Sequence, residues 1–403
     1  MKNRISLFII AAFLLTMTAC GDQEERISRK TDRIHDAVLT VDTHCDTPMR
    51  LMRSDFDLGK RNDDGCVDFP RMVEGGLDAE FFAVFLGQGP RNDTAYREVY
   101  NRTIEIFEKI HANVEKNSDM AEVAYTADDA YRIKKAGKRI AFIGIENGYP
   151  IAKDISRVEE FYDMGARYIT LSHSRNNDIC DSSTDDLGPE HNGLSVFGEQ
   201  VVQEMNRLGM MVDVSHISDQ AFYDVIELSN APVIASHSSC RALCESPRNL
   251  DDDMLLALKD NGGVIQICIL SNYLKQPEPN PLLDQKMKEL REKYNDFEGL
   301  SEEEFEQARK EYYQVRNKYR KLATVKDAVD HIDHVVQLIG IDYVGIGSDF
   351  DGGGGIEDVR DVSQMKNITR ELIRRGYSRS EISKIWGGNV MRVLRKNEEL
   401  SQI

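Results

Sequence analysis

The feature that most constrains this chain is a series of short apolar runs rich in Val and Ile, most of them ending in residues able to do chemistry. The runs lie at Val38–Val41, Ala79–Leu86, Arg139–Ile145, Ala166–Leu171, Met210–Val214, Pro232–Ala235, Gly263–Ile269 and Tyr343–Ile346. Near-continuous apolar runs of this length are the mark of strands buried on both faces, as in a parallel sheet. Helical patterns fill the gaps. Thr126-Ala-Asp-Asp opens a periodic segment that stops at Gly137, Ser218 precedes Ala221–Leu228, and Asp251–Lys259 ends at Asn261-Gly262-Gly263. Ser378-Arg-Ser-Glu381 has the form of a capping box and opens a helix through Leu394 that must accommodate Gly387-Gly388. Alternating strands and helices predict an α/β fold, and eight strands predict a (β/α)₈ TIM-like barrel. A doubly wound open sheet is the architectural alternative, but no Gly-x-Gly-x-x-Gly follows the first run. Residues 284–322 are dense in charge and carry interspersed Tyr and Phe, with Gly299-Leu-Ser-Glu302 as a break. They read as a charged helical hairpin inserted between the seventh and eighth strands, solvated by default and a lid or interface in the functional reading.

The ends of the runs carry the chemistry. Asp42-Thr-His44-Cys-Asp46 follows the first, Glu146-Asn-Gly the third, and His173, His216 and His237 the next three. Ser348-Asp349-Phe-Asp351-Gly follows the last. Barrel enzymes draw catalytic residues from the C-terminal ends of several strands. His44 and Asp46 stand two apart, so in an extended strand they project on one face. His216 and His237 occupy matching places in Asp213-Val-Ser-His216 and Ile234-Ala-Ser-His237. Singly, each fits a capped strand end or a satisfied core histidine. Gathered on one rim with Glu146, their mutual repulsion and desolvation call for a cation. Imidazoles with carboxylates suit Zn²⁺ ahead of Mn²⁺, Fe²⁺ or Co²⁺. Five ligands exceed the roughly three that one catalytic zinc takes from protein. They suit two ions if Glu146 bridges, with His44, Asp46 and Glu146 on one and Glu146, His216 and His237 on the other. Ions in such pairs sit about 3.5–4 Å apart and share an activated hydroxide. Asp351 and Gly352–Gly355 read as turn chemistry. Cys240 and Cys244 lack a second pair to complete a structural zinc site, and Cys45 lies between two ligands, a poor place for a nucleophile. Acidic residues outnumber basic ones 69 to 51, a net charge of −18, which argues against a nucleic-acid partner.

At the N-terminus, Lys2 and Arg4 precede an apolar run from Leu7 to Leu15, then Thr18, Ala19 and Cys20. This is the pattern of an export signal, and the run is about half the ~20 residues that span a bilayer. The segment resembles a bacterial lipoprotein signal, with Met17 where Leu is more usual. That resemblance implies a lipidated Cys20 holding the protein on a membrane, facing periplasm or exterior; a plain secretory signal is the alternative. Residues 21–35 are polar and fit a flexible tether, which leaves 36–403 as the barrel domain.

The ordered motifs Val-Asp-Thr-His44-Cys-Asp46, Gly-Ile-Glu146-Asn-Gly, Leu-Ser-His173-Ser-Arg-Asn, Asp-Val-Ser-His216, Ala-Ser-His237-Ser-Ser, Pro-Arg248-Asn-Leu and Gly-Ser-Asp349-Phe-Asp-Gly span almost the whole chain. Together they resemble the membrane (renal) dipeptidase family, the M19 metallopeptidases. The resemblance implies a dizinc dipeptidase on a metal-dependent hydrolase barrel. His44, Asp46, Glu146, His216 and His237 match the family's metal ligands. His173 matches a non-ligand histidine that stabilises the tetrahedral oxyanion, and Arg248 the arginine that binds the dipeptide's C-terminal carboxylate. Asp349 matches the carboxylate that contacts the amino terminus and handles protons, and Tyr273 a substrate-contacting tyrosine. A zwitterionic dipeptide needs one cation and one anion at fixed separation, and arginine's planar fork suits a carboxylate. The implied mechanism has a metal-bridging hydroxide attack the scissile carbonyl while Asp349 relays a proton to the leaving amine. A homodimer is implied by the resemblance alone. Compared with animal members, the 284–322 insertion is extra and Gln266-Ile-Cys268 replaces a different polar pattern. The sequence ends in Leu-Ser-Gln-Ile rather than an apolar anchor signal, which turns the expected anchor to Cys20. Two rival functions remain. One is another binuclear amidohydrolase, a cyclic amidase or N-acyl-amino-acid deacylase, many of which bridge their metals with a modified lysine where this chain has His173. The other is a non-catalytic peptide-binding surface lipoprotein, which has no need of a metal pair.

Overall fold

The computed structural model describes residues 23–53, 56–297 and 299–403; the signal segment 1–20 with Cys20 lies outside them. Among the described residues nine strands, all paired in parallel, make one sheet: β1 (Val41–Cys45), β2 (Ala79–Phe85), β3 (Ala121–Val123), β4 (Arg139–Glu146), β5 (Ala166–Thr170), β6 (Met211–Asp213), β7 (Ile234–Ser238), β8 (Val264–Cys268) and β9 (Val344–Gly347). Their order is β1-β2-β4-β5-β6-β7-β8-β9, with β3 attached outside β4. The eight strands of the main path curl into a nearly closed barrel. Just beyond β9 the chain returns to β1: the Asp46 amide donates to the Phe350 carbonyl at 2.8 Å, and the Asp349 amide to the His44 carbonyl at 3.0 Å. That closure removes the open doubly wound sheet as an alternative.

The barrel's N-terminal end is filled with apolar side chains. Val41, Ile140, Met211, Ile234 and Val264, all at or near strand starts, pack with Phe81, Phe142 and Tyr168 in one buried cluster. Val390, Met391 and Leu394 of the helix Asn389–Leu400 complete the plug. The chain's cluster of imidazoles and carboxylates is therefore left to the C-terminal end, as in other barrels of this kind. A second, larger layer of apolar contacts lies between the strands and the surrounding helices.

Helix boundaries follow their capping chemistry. Thr126 and Asp129 form a reciprocal capping box on Ala127–Lys135, and Ser378 with Glu381 does the same on Arg379–Ser383. The glycine pair is accommodated by a π-turn over Lys384–Gly388. A side chain at Gly387 would sit 2.5 Å from the Leu39 carbonyl oxygen, so the close approach of the segment leading into β1 requires glycine there.

Three expectations need correction. The first strand spans Val41–Cys45 rather than Val38–Val41, because Asp42, Thr43 and His44 are buried strand residues that broke the apolar run. For the same reason Glu146 and His237 sit within β4 and β7 instead of after them. Most of the expected tether is a helix over 23–35. Ile27, Thr31 and Ile34 share one face of it, and Thr31 and Ile34 are buried. Its end is fixed by hydrogen bonding between His35 Nδ1 and Thr369 Oγ1 at 2.7 Å and a Lys366–Asp36 ion pair at 3.0 Å.

The insertion is a pair of helices, Pro281–Lys293 and Glu302–Tyr319, between β8 and β9. The Tyr294 hydroxyl donates to Glu311 at 3.0 Å, and Asn280 Nδ2 to the Tyr319 carbonyl at 2.7 Å. Among the described residues no helix is long and apolar enough to cross a membrane.

Candidate metal centre and active site

The C-terminal rim gathers residues from six of the barrel strands. β1 breaks register against β2 between Asp42 and Cys45, which turns His44 toward the barrel axis. Glu146 is the last residue of β4, and the next residue, Asn147, takes a left-handed turn with φ 78°. The Asn147 side-chain Nδ2 donates to the Leu86 carbonyl at 2.8 Å and so pins that turn. His216 itself has φ 72° and Asp349 φ 59°. Left-handed backbone at non-glycine residues costs about 1–3 kcal/mol each and persists where the surroundings over-determine it, typically at functional sites.

Glu146 is the centre of the cluster. Its Oε1 lies 2.9 Å from His216 Nε2, 3.4 Å from His237 Nε2 and 3.8 Å from His173 Nε2, while its Oε2 lies 3.5 Å from His44 Nε2. His216 Nε2 and His237 Nε2 are 2.8 Å apart. Among the described residues three overlapping sets of potential ligands result: His44, Glu146 and His237; Glu146, His173 and His216; and His44, Asp46 and Asp349. All five expected ligands thus meet on one rim. The grouping differs from the expected division, since Asp46 groups with His44 and Asp349, and His237 reaches toward both His44 and His216.

Hydrogen bonding at the far side of two rings aims their lone pairs inward. The Tyr168 hydroxyl donates to the Thr43 carbonyl at 3.1 Å and so accepts from His44 Nδ1 at 2.9 Å. Ser236 Oγ donates to Asp213 at 2.6 Å and accepts from His237 Nδ1 at 2.8 Å. Both assignments put a proton on Nδ1 and leave Nε2, which faces Glu146, as the nitrogen a cation would bind once any proton there is displaced, the arrangement of metal-binding histidines. His44 Nε2 and Asp46 Oδ1 are buried with no hydrogen-bond partner among the described residues. Buried, unpartnered nitrogen and oxygen donors converging within these distances fit a divalent cation with borderline-soft ligands.

The electrostatics agree. Burial holds the His216 and His237 imidazoles well below their usual range, helped by Arg248 near the first and His44 near the second. Burial pushes the Asp46 carboxyl well up, and Glu146 pushes it further. Burial also opposes a charge on His44, but the Glu146, Asp46 and Asp349 carboxylates outweigh it and carry that imidazole to about 10. Asp349 is pushed up to about 7 by burial, with His44 opposing and Glu146 reinforcing. An incoming cation must displace protons from such a cluster, so its affinity falls as pH falls.

A cleft of about 240 Å³ opens over the cluster. Asp46, Asp349 and Asp351 line it, with Arg248 and Tyr273 also on its wall and Phe85, Met49 and Leu270 supplying apolar surface. Arg248 is 4% exposed and donates to the His237 carbonyl at 3.1 Å, while its Nε finds no acceptor among the described residues. Its guanidinium stands 5.3 Å from the centre of the Tyr273 ring. Asp351 accepts from Thr47 at 2.7 Å, Arg50 at 2.9 Å and the Cys66 amide at 3.1 Å, tying loops together beside the cleft. Burial pushes the Cys45 thiol well up, away from nucleophilic use. Neither Cys240 nor Cys244 joins a potential metal set among the described residues.

Tyr168, Ser236, Asp213 and Gly352 were not singled out in the sequence for this site. A Cβ on Gly352 would lie 2.0 Å from Asp46 Oδ2 and 2.3 Å from Asp349 Oδ1. The Ser-His pair at 236–237 and the nearness of Gly352 to Asp349 were the local signals available; Tyr168 and Asp213 act on histidines far away in sequence.

The family model described as membrane dipeptidase (peptidase family M19) matches residues 28–403. The chain is 35% identical over 342 residues to the dipeptidase tcpJ of Claviceps purpurea, covering 84% of this chain and 70% of that one. It is 34% identical over 345 residues to the dipeptidase verJ of Clonostachys rogersoniana, covering 83% and 76%. Among solved structures, the probable dipeptidase PvdM from Pseudomonas aeruginosa aligns with a TM-score of 0.82 and 30% identity over 94% of this chain and 100% of that one. With the family's pattern running along nearly the whole chain and a barrel rim crowded with buried imidazoles and carboxylates, this protein belongs to the membrane dipeptidase family, peptidase family M19, and is an enzyme of the metallo-dipeptidase class.

Proposed function

We propose that this chain hydrolyses dipeptides with two divalent ions, zinc by the chemistry of the donor set, held by His44, Asp46, Glu146, His216 and His237. The observation that carries the proposal is the two-sided Glu146 carboxylate, one oxygen toward His216 and His237 and the other toward His44. Bound there, such ions supply a water activated at neutral pH and polarise the scissile carbonyl.

The remaining roles belong to the chain's own side chains. Arg248 offers a desolvated guanidinium with an unused Nε–H to the substrate's C-terminal carboxylate. Asp349 holds the substrate's amino terminus and passes a proton to the leaving amine; a carboxyl pushed up to about 7 is matched to that task. His173, 24% exposed at the cleft wall, is held below its usual range by burial. It is therefore neutral at pH 7, and its N–H donates to the developing oxyanion. Tyr273 backs Arg248 and closes that side of the cleft.

Lipidation at Cys20 and residence on a bacterial membrane rest on the signal-like segment 1–20. Incorporation of labelled fatty acid into the full chain, lost in Cys20→Ala, tests that part. A dipeptide panel run beside metal analysis on the same purified sample tests the catalytic part. Hydrolysis lost on chelation and restored by zinc is the expected result. Hydrolysis that persists in metal-free protein would overturn it.

A further inference from the structure

The loop that carries Arg248 and the single helical turn that carries Tyr273 are sewn together by side chains lying behind them. The loop leaves β7, and its ends meet where Cys240 and Leu250 bridge and the Leu250 amide donates to the Ser239 carbonyl at 2.9 Å. Asn249 fills its interior at 1% exposure. Its Oδ1 accepts from the Ser239 amide at 3.2 Å, and its Nδ2 donates to the Cys244 carbonyl at 2.8 Å and to the Tyr273 carbonyl at 2.9 Å.

The turn Ser271–Leu274 has four residues, too few to hold itself by helix propagation. Its C-terminal carbonyls have no partners within the turn and must find them elsewhere. Asn272 O receives the Cys244 thiol at 3.3 Å, Tyr273 O receives Asn249, and Leu274 O is 3.0 Å from His331 Nε2. His331, 1% exposed on the helix Val325–Leu338, accepts the Cys240 amide on Nδ1 at 3.0 Å, so it donates to Leu274 from Nε2. Asn249 and His331 therefore each bond the Arg248 loop and the Tyr273 turn.

We propose that Asn249 and His331 are positioning residues that set Arg248 against Tyr273, and that they thereby determine the enzyme's preference for a substrate with a free C-terminal carboxylate. This inference rests on the reading that Arg248 binds that carboxylate. Neither residue lines the cleft, so neither touches substrate.

The test compares a dipeptide with its C-terminal amide in the zinc-loaded enzyme, in wild type, Arg248→Ala, Asn249→Ala and the double variant. Asn249→Ala is expected to raise KM for the dipeptide about tenfold or more while kcat stays within about threefold, since a displacement near 1 Å is enough for losses of that order. KM for the amide should change less than about twofold. The double variant should be no worse than Arg248→Ala, because the positioning residue has nothing left to position. Asn249→Asp, which keeps the acceptor and loses both donors, should behave like Asn249→Ala. If Asn249→Ala does not yield folded protein, His331→Asn carries the same comparison, keeping an acceptor toward Cys240 and dropping the donor to Leu274. The proposal is overturned if Arg248→Ala erases the discrimination between acid and amide but the folded positioning variants retain it. If Arg248→Ala itself leaves that discrimination intact, it is the carboxylate role of Arg248 that fails, and the proposal falls with it.

Discussion

Gly352 gives the sharpest test of how the acidic side of the cleft is built. Its φ is not in the left-handed region, so Gly352→Ala asks for no new backbone conformation. The added methyl would lie 2.0 Å from Asp46 Oδ2 and 2.3 Å from Asp349 Oδ1. Contacts under about 3 Å are not tolerated between such atoms, so the two carboxylates must retreat by at least 3.0 − 2.0 = 1.0 Å and 3.0 − 2.3 = 0.7 Å. Both are side-chain ends, so the fold can absorb the change and the loss falls on the site. A misplacement near 1 Å costs about a hundredfold in rate, equivalent to about 2.7 kcal/mol of transition-state stabilisation. Asp46 is also an expected ligand, so metal affinity should drop as well. The assay is kcat/KM for a dipeptide at saturating zinc, with metal content after dialysis and a thermal melt on the same preparation. A near-normal melt, about hundredfold lower kcat/KM and weakened metal retention are expected. A variant with wild-type kcat/KM and full metal content would refute the placement of Asp46 and Asp349 against Gly352.

Other outcomes follow from the same geometry. Asp349→Asn keeps the shape but cannot carry a proton, so turnover should fall by about 10²–10⁴ while both metals remain, checked by stopped assays and metal analysis. Tyr168→Phe removes the acceptor of His44 Nδ1–H; metal affinity should fall about 10- to 100-fold, read by competition with a chromophoric chelator. His35 lies far from the rim, and burial, with Lys366 contributing, holds its imidazole at about 4 against a usual 6.5. The unfolded chain therefore binds a proton that the folded chain refuses, so its contribution is fully present above pH 6.5 and is lost as pH falls toward 4. The loss amounts to about 3 kcal/mol. In metal-depleted protein, urea unfolding of wild type and His35→Gln should show a stability difference that shrinks by about that much from pH 7 to 4; a constant difference would contradict it.

Much of the barrel was legible because strands buried on both faces spell themselves as Val- and Ile-rich runs. The same rule hid the start of the site. β1 carries Asp42, Thr43 and His44 in buried positions, so its hydrophobic signal ended where the strand begins. The outer strand β3, Ala-Glu-Val, is too short at three residues to stand out as a run. The helix over 23–35 reads as a tether in sequence because its single buried face is narrow and the rest is charged. The metal-binding residue types announced themselves by their place at successive strand ends. Their supports did not: Tyr168 reaches His44 from 124 positions away, Asn249 reaches the Tyr273 carbonyl across 24, and Gly352 matters for what it lacks. Spacing along a chain carries no trace of such contacts until the barrel closes.

The central claim is that one carboxylate, Glu146, joins two ion positions on this rim. The direct measurement is metal stoichiometry per chain in purified wild type and in Glu146→Ala, with dipeptide turnover on the same samples. Two equivalents of zinc in active wild type, and loss of both metal and turnover in the folded variant, are the predicted results. Full activity at one equivalent or none, or a Glu146→Ala protein that keeps both ions, would contradict it.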